Sequence, residues 1–327
     1  MKRRTILGQL ALLMATTGPS LAQPRDGRRT IGYLLGAVRP PDAVLARHPV
    51  VRTLADLGFV EGRNLAVEWR FAAGELDRLP EMAAALVRSP AEVIVAQGGL
   101  AASAAAGATS DKPIVILGAG DPVGMGLAAS LARSGRNVTG VSEASTELSG
   151  KRADLLKQLV PRASRFAVLW NANDQGMNLR FQVIEQAAKT LGVAIDAHGL
   201  RSVGDIVPAL AAMTARPPDA MLLVADALTN VNRQRFLDFA TQQRVPAMYE
   251  VADIVRQGGL IAYGPSLTEQ QVRAAHYVAR ILNGARPADL PLEQPTRFYL
   301  TLNMKTARAL GLEVPALLQT MADEVIE

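Results

Sequence analysis

The feature that most limits how this chain can fold is a regular alternation of short apolar runs with amphipathic stretches. Strand-like runs stand at residues 30–35, 65–71, 93–96, 113–117 and 138–141. Helical stretches lie between them, near 43–57, 78–88, 100–109 and 125–132. In the second of these, Leu79, Met82, Ala83, Leu86 and Val87 recur at helical spacing and mark one apolar stripe. Strands that alternate with helices of this length predict right-handed βαβ units and a parallel sheet.

After a polar, strand-poor stretch at 142–150 the rhythm restarts. Strands are expected at 166–170, 193–197, 221–225, 247–249 and 260–263. Helices are expected near 151–159, 179–191, 205–215, 232–243 and 251–257. Five strands, a pause and five more describe two α/β lobes of about 115 residues each, a natural size for a single core. The tail carries a helix near 269–282, a Pro-containing loop at 283–295, a strand at 297–302 and a helix at 304–310. That is too little for a third lobe. The expected organisation is a leader at 1–22, a first lobe of 28–141 plus 267–290, and a second of 146–263 plus 296–327. The fold class is α/β, with two doubly wound parallel-sheet lobes joined by a multi-crossing hinge.

Composition narrows the chemistry. The chain has 327 residues, 49% of them apolar, and no cysteine, which excludes disulfides, thiolate metal sites and a cysteine nucleophile. Its three histidines, His48, His198 and His276, share no ligand spacing, so no metal site is expected. Residues 1–22 read as a secretory leader. Lys2-Arg3-Arg4 precedes a short apolar core, and Ser20-Leu21-Ala22 supplies small residues for cleavage. Sec and twin-arginine export both remain open. No cysteine follows to carry a lipid, so a soluble periplasmic product is expected. Removing the leader's three cations from the formal +5 leaves +2, and aromatic residues are only 4%. Nucleic acid is therefore not an expected partner.

In open parallel sheets, ligands bind beyond the carboxyl ends of the strands. The residues found there include Gly98, Gly99 and Asp121 in the first half, and Asn171, Asp226, Glu250 and Gly264 in the second. Glycines admit close approach, and a helix starting near Gly99 offers free N–H groups to a carboxylate. Asp226 and Glu250 suit an ammonium group. Trp170, Tyr249 and Tyr263 fall at or beside strand ends, where a ring can stack on a ligand or pack in the core. Gly118-x-Gly120-x-x-x-Gly124 lacks the dinucleotide spacing. Neither G-x-S-x-G nor H-E-x-x-H occurs, and no residue stands out as a nucleophile. No cofactor is expected.

Several strings resemble one family. Residues 56–65 (DLGFVEGRNL), Glu68-Trp69-Arg70 and Leu76-Asp77-Arg78-Leu79-Pro80 are similar to the first lobe of bacterial ABC-transporter substrate-binding proteins of the tryptophan/tyrosine type. Gly120-Asp121-Pro122-Val123-Gly124, residues 137–142 (NVTGVS) and Gly150-Lys151-Arg152 resemble its middle. Ala225-Asp226-Ala227-Leu228, residues 263–267 (YGPSL), residues 290–296 (LPLEQPT) and the closing residues 322–327 (ADEVIE) resemble its later part.

The resemblance covers nearly the whole chain after the leader. It implies a type I periplasmic-binding fold, a small-molecule ligand in an interlobe cleft, an inner-membrane ABC permease as partner, and no catalysis. A monomer is expected. The implied ligand contacts are Gly98, Gly99, Asp121, Asn171, Asp226, Glu250 and Gly264, to which the strand-end positions of Tyr249 and Tyr263 add two candidate contacts. The ligand would be an amino acid or an aromatic or carboxylate compound. Arg39-Pro40-Pro41 departs from the small polar residues expected in the first loop, and Arg39 could meet a carboxylate or sit solvated at the rim. A sensory module for a membrane receptor is one alternative. An enzyme using Asp226 and Glu250 as acid and base is another.

Overall fold

The computed structural model describes residues 27–327. The leader read at 1–22 lies outside these residues. The first sheet contains β1 (Arg29–Leu35), β2 (Leu65–Phe71), β3 (Val93–Gln97), β4 (Ile114–Ala119) and β5 (Val138–Ser142). The second contains β6 (Arg165–Asn171), β7 (Ala194–Leu200), β8 (Ala220–Leu223), β9 (Ala247–Tyr249) and β10 (Ile261–Gly264). Late in the chain, β11 (Leu292–Glu293) joins the first sheet, while β12 (Tyr299–Asn303) and β13 (Glu324–Ile326) join the second. The orders are β11-β5-β4-β3-β1-β2 and β13-β12-β10-β9-β8-β6-β7. Within each, the first two strands of the lobe are transposed, which is the doubly wound pattern. All pairings are parallel except β10 with β12.

Alternation along the strands builds the cores, because successive side chains point to opposite faces. Ile31, Tyr33, Val93, Val95, Val115 and Leu117 pack on one face of the first sheet against the helix Leu267–Leu282. Leu34, Ile94, Ala96, Ile114 and Ile116 pack on the other, against helices Leu79–Arg88 and Gly99–Ala108. The second sheet repeats the plan. Phe166, Val168 and Leu222 meet Ser145–Leu159 and Gln175–Thr190, while Ala167, Leu169 and Leu223 meet Ile206–Ala215 and Arg233–Gln242. The chain passes between the sheets three times, after β5, after β10 and between β11 and β12.

Four expectations need correction. The stretch near 43–57 is two helices, Asp42–Leu45 and Pro49–Asp56, because Pro49 can begin a helix but cannot continue one. The stretch at 125–132 is turns, not helix. Pro122 accepts from both Leu127 and Ala128, and Gly126 adopts φ 72°. The polar stretch at 142–150 is not a pause, since the helix Ser145–Leu159 begins inside it. The loop at 283–295 contains β11, whose apolar content is too short to announce a strand.

Candidate functional site

The carboxyl ends of the strands in both sheets face a cleft of about 490 Å³. The first sheet contributes Leu35-Gly36-Ala37-Val38, Gln97-Gly98 and Leu117-Gly118. The second contributes Ala225-Asp226-Ala227 and Glu250-Val251. Glu143, Ser145, Pro265, Leu267 and Gln270 line it where the chain crosses between sheets. A narrow extension of about 40 Å³ runs inward past Gly99, Asp174 and Met177.

The two halves touch. A Cβ on Gly36 would fall 2.5 Å from that of Ala227, so only a glycine permits this approach. A Cβ on Gly99 would lie 2.9 Å from Asp174 Oδ2. Gln175 Nε2 donates to the Gly124 carbonyl at 3.1 Å.

Asp226 is half-buried and caps the helix Ala227–Val231, accepting from Thr229 N at 2.9 Å. Asn171 Nδ2 donates to its other oxygen at 2.6 Å. Burial pushes the Asp226 carboxyl up from its ordinary pKa, partly offset by these hydrogen bonds. No cation pairs with it among the described residues. Asp174 is buried at the N-terminus of Gln175–Thr190 and accepts from Gly176 N at 2.8 Å. Its carboxyl is also raised, by burial and then by the like charge of Asp226. It sits against the first turn of Gly99–Ala108, whose unpaired N–H groups favour an anion. Asp174 therefore stands where the sequence reading places a ligand carboxylate.

Glu250 is committed elsewhere. Its two oxygens meet Arg152 at 3.1 Å and Arg180 at 2.8 Å, and all three side chains are buried. Arg180 also bonds Glu143, the first residue after β5. Burial raises the Glu143 carboxyl, with Arg180 pulling the other way. The result is a four-charge chain under the cleft, two carboxylates against two guanidiniums.

The remaining expected residues divide. Gly98 lines the cleft. Asn171 is buried and spends its oxygen on Asn173 N, so it supports Asp226 and does not face the cavity. Tyr249 is 1% exposed in the helix-covered core, because the strand's alternation turns it away from the opening. Tyr263 packs at the edge of the opposite core and gives its carbonyl to Arg152 Nε. Gly264 is pressed on the Glu250 carbonyl, 2.2 Å from where a Cβ would stand. Asp121 closes its own turn through Gly124 N. Trp170 stacks on Phe181 at 3.8 Å. Arg39 lines the rim, bound to Asp42 at 2.7 Å and lying over the Phe71 ring. Among the described residues, no aromatic side chain lines the cleft. Glu143, Asp174 and Gln270 do line it or its extension without a local signal in the sequence. Among the described residues, no group of three His, Cys, Asp or Glu could hold a metal, and no helix is long and apolar enough to cross a membrane.

Comparison with known proteins places this geometry. The family model of ABC transporter substrate binding proteins matches residues 37–326. A tyrosine-binding protein of Clostridioides difficile (strain R20291) is 24% identical over 277 residues, spanning 84% of this chain and 79% of that protein. The ABC domain from Streptococcus pneumonia in complex with L-Trp superposes with a TM-score of 0.83 at 22% identity, over 92% of this chain and 100% of that one. A ligand-free, open structure of a Clostridium difficile substrate-binding protein with adhesive properties superposes at 0.63 and 23% identity, over 91% and 99%. The fold is thus that of type I periplasmic-binding proteins. The chain belongs to the ABC transporter substrate-binding protein family, and its role is to capture a small molecule for such a transporter.

Proposed function

We propose that the chain acts as a monomer in the periplasm, binds an α-amino acid between its lobes and presents it to an inner-membrane permease. The observation that carries this reading is Asp226, a carboxylate at the cleft wall held by neutral donors and left without a cation. A ligand ammonium is the natural partner for such a group. Gln97, Ser145, Asn230, Arg233 and Gln270 are among the polar groups that line the cleft with it. The aliphatic lining from Leu35, Val38, Val231 and Leu267 suits the apolar part of the same molecule. A tyrosine-binding relative and an L-Trp-bound relative favour an aromatic amino acid.

Contacts from both lobes would let the ligand favour the closed arrangement over the open one, by its difference in affinity for the two. The better superposition on the L-Trp complex than on the open relative supports a closed arrangement here. Catalysis forms no part of the reading. Glu250, which the enzyme alternative would use as acid or base, is locked between two arginines. The leader sequence at 1–22 supports export.

Thermal-shift titration with L-tyrosine and L-tryptophan tests the proposal, since a ligand that binds only the folded protein raises its melting temperature. The parent is expected to respond to at least one of them. Asp226→Asn keeps the helix cap while removing the charge, and should abolish most of the response. A variant that responds like the parent contradicts the assignment of Asp226. A parent that responds to neither contradicts the amino-acid reading.

A further inference from the structure

Gln270 stands in the first turn of Leu267–Leu282, just after the second crossing between the sheets. It lines the cleft, yet is only 4% exposed. Its side-chain oxygen is enclosed and has no hydrogen-bond partner among the described residues. Buried polar atoms are nearly always paired, so an unpaired one beside a ligand cavity calls for a partner from outside the chain. A Cβ on Gly118, itself a cleft residue, would stand in ordinary contact with Gln270 Oε1 at 3.7 Å, which places that oxygen beside the cleft lining. On the same lobe, the Gln97 oxygen already accepts from Tyr33 Oη at 2.8 Å, which leaves its amide N–H groups as the end free for a ligand.

We infer that Gln270 is a specificity-determining residue that accepts a hydrogen bond from a second, uncharged N–H or O–H donor on the ligand. This rests on the amino-acid reading, in which Asp226 takes the ammonium. A side chain ending in a phenol or an indole carries such a donor. One ending in a plain phenyl ring does not, and would leave the Gln270 oxygen unpaired. The residue therefore selects among aromatic amino acids without any aromatic contact of its own.

Calorimetric titration of the parent with L-tyrosine, L-tryptophan and L-phenylalanine, repeated on Gln270→Leu and Gln270→Met, tests this. The parent should bind tyrosine or tryptophan at least about tenfold more tightly than phenylalanine. Both variants should lose that preference. They should also melt no lower than the parent without ligand, because an apolar side chain of similar size removes an unpaired buried oxygen. Equal binding of all three by the parent, or an intact preference in the variants, overturns the inference. If the parent binds none of the three, the amino-acid reading fails, and the ligand-free melting curves still decide for Gln270. Variants that melt lower show a structural residue and overturn its role, whereas variants that hold their melting temperature retain it as a ligand-facing group.

Discussion

The two lobes share a fold but bring opposite chemistry to the cleft. The first offers glycine backbone, aliphatic side chains and the carboxamides of Gln97 and Gln270, with Arg39 tied to Asp42 at the rim and Glu143, just past β5, tied to Arg180. The second offers the carboxylate of Asp226, the arginine-bound Glu250 and the guanidinium of Arg233, with Asp174 in the extension behind them. A duplicated architecture does not dictate a duplicated site. The strand-end loops are equivalent in position, and the side chains on them decide which lobe holds charge and which shapes the remainder of the ligand.

The largest test of this asymmetry falls on the charged side. Arg180→Leu would leave Glu143 and Glu250 without their shared partner in a buried setting, and should cost about 3–5 kcal/mol in a denaturant titration. A loss near zero would mean that water reaches those carboxylates and that the second lobe's charge is not structurally held.

Next comes the neutral side. Gly36→Val places a branched side chain where Ala227 already stands. The lobes should be held apart, with a larger radius of gyration in solution scattering and ligand affinity reduced at least about tenfold. Unchanged affinity would show that this contact does not accompany binding.

The smallest effect concerns acid. Asp174 and Asp226 have raised carboxyls, so the folded state binds protons before the unfolded one, and their contribution to stability grows as pH falls toward the ordinary carboxylate range. His48 in the first lobe does the reverse. It lies among Tyr33, Trp69 and the helix Pro49–Asp56, and burial lowers its pKa to about 4. Its contribution is complete above its ordinary value near 6.5 and is lost as pH falls from there toward 4. His48→Asn keeps a capping side chain and should remove that loss, gaining roughly 1 kcal/mol over the parent's trend at pH 4.5. Parallel melting curves for the two proteins across this range would rule His48 out as the acid-sensitive group of its lobe.

The strands were largely legible because runs such as Leu65–Phe71 and Ala247–Tyr249 alternate or cluster apolar residues strongly enough to fix their own bounds. The antiparallel pairing of β12 and the addition of β13 were not, since both depend on where the tail returns to the second sheet. For the site, strand order pointed to loops that line the cleft, with Gly98 and Asp226 among the lining residues. Orientation was the missing information. Tyr249 lies one step out of phase with the opening, and Asn171 and Glu250 turn toward partners distant in sequence, Asp226 in one case and Arg152 and Arg180 in the other. Glu143, Asp174 and Gln270 come together only after the lobes meet, and no local spacing marks that.

A crystal structure of the protein grown with L-tyrosine or L-tryptophan bears most directly on the proposal that a solute is gripped between unlike lobes. The predicted result is the molecule in the cleft beside the Gly36–Ala227 contact, its ammonium within hydrogen-bond distance of Asp226 and its side chain turned toward the first lobe. A molecule bound outside the cleft, or lying with its carboxylate against Asp226, would contradict it.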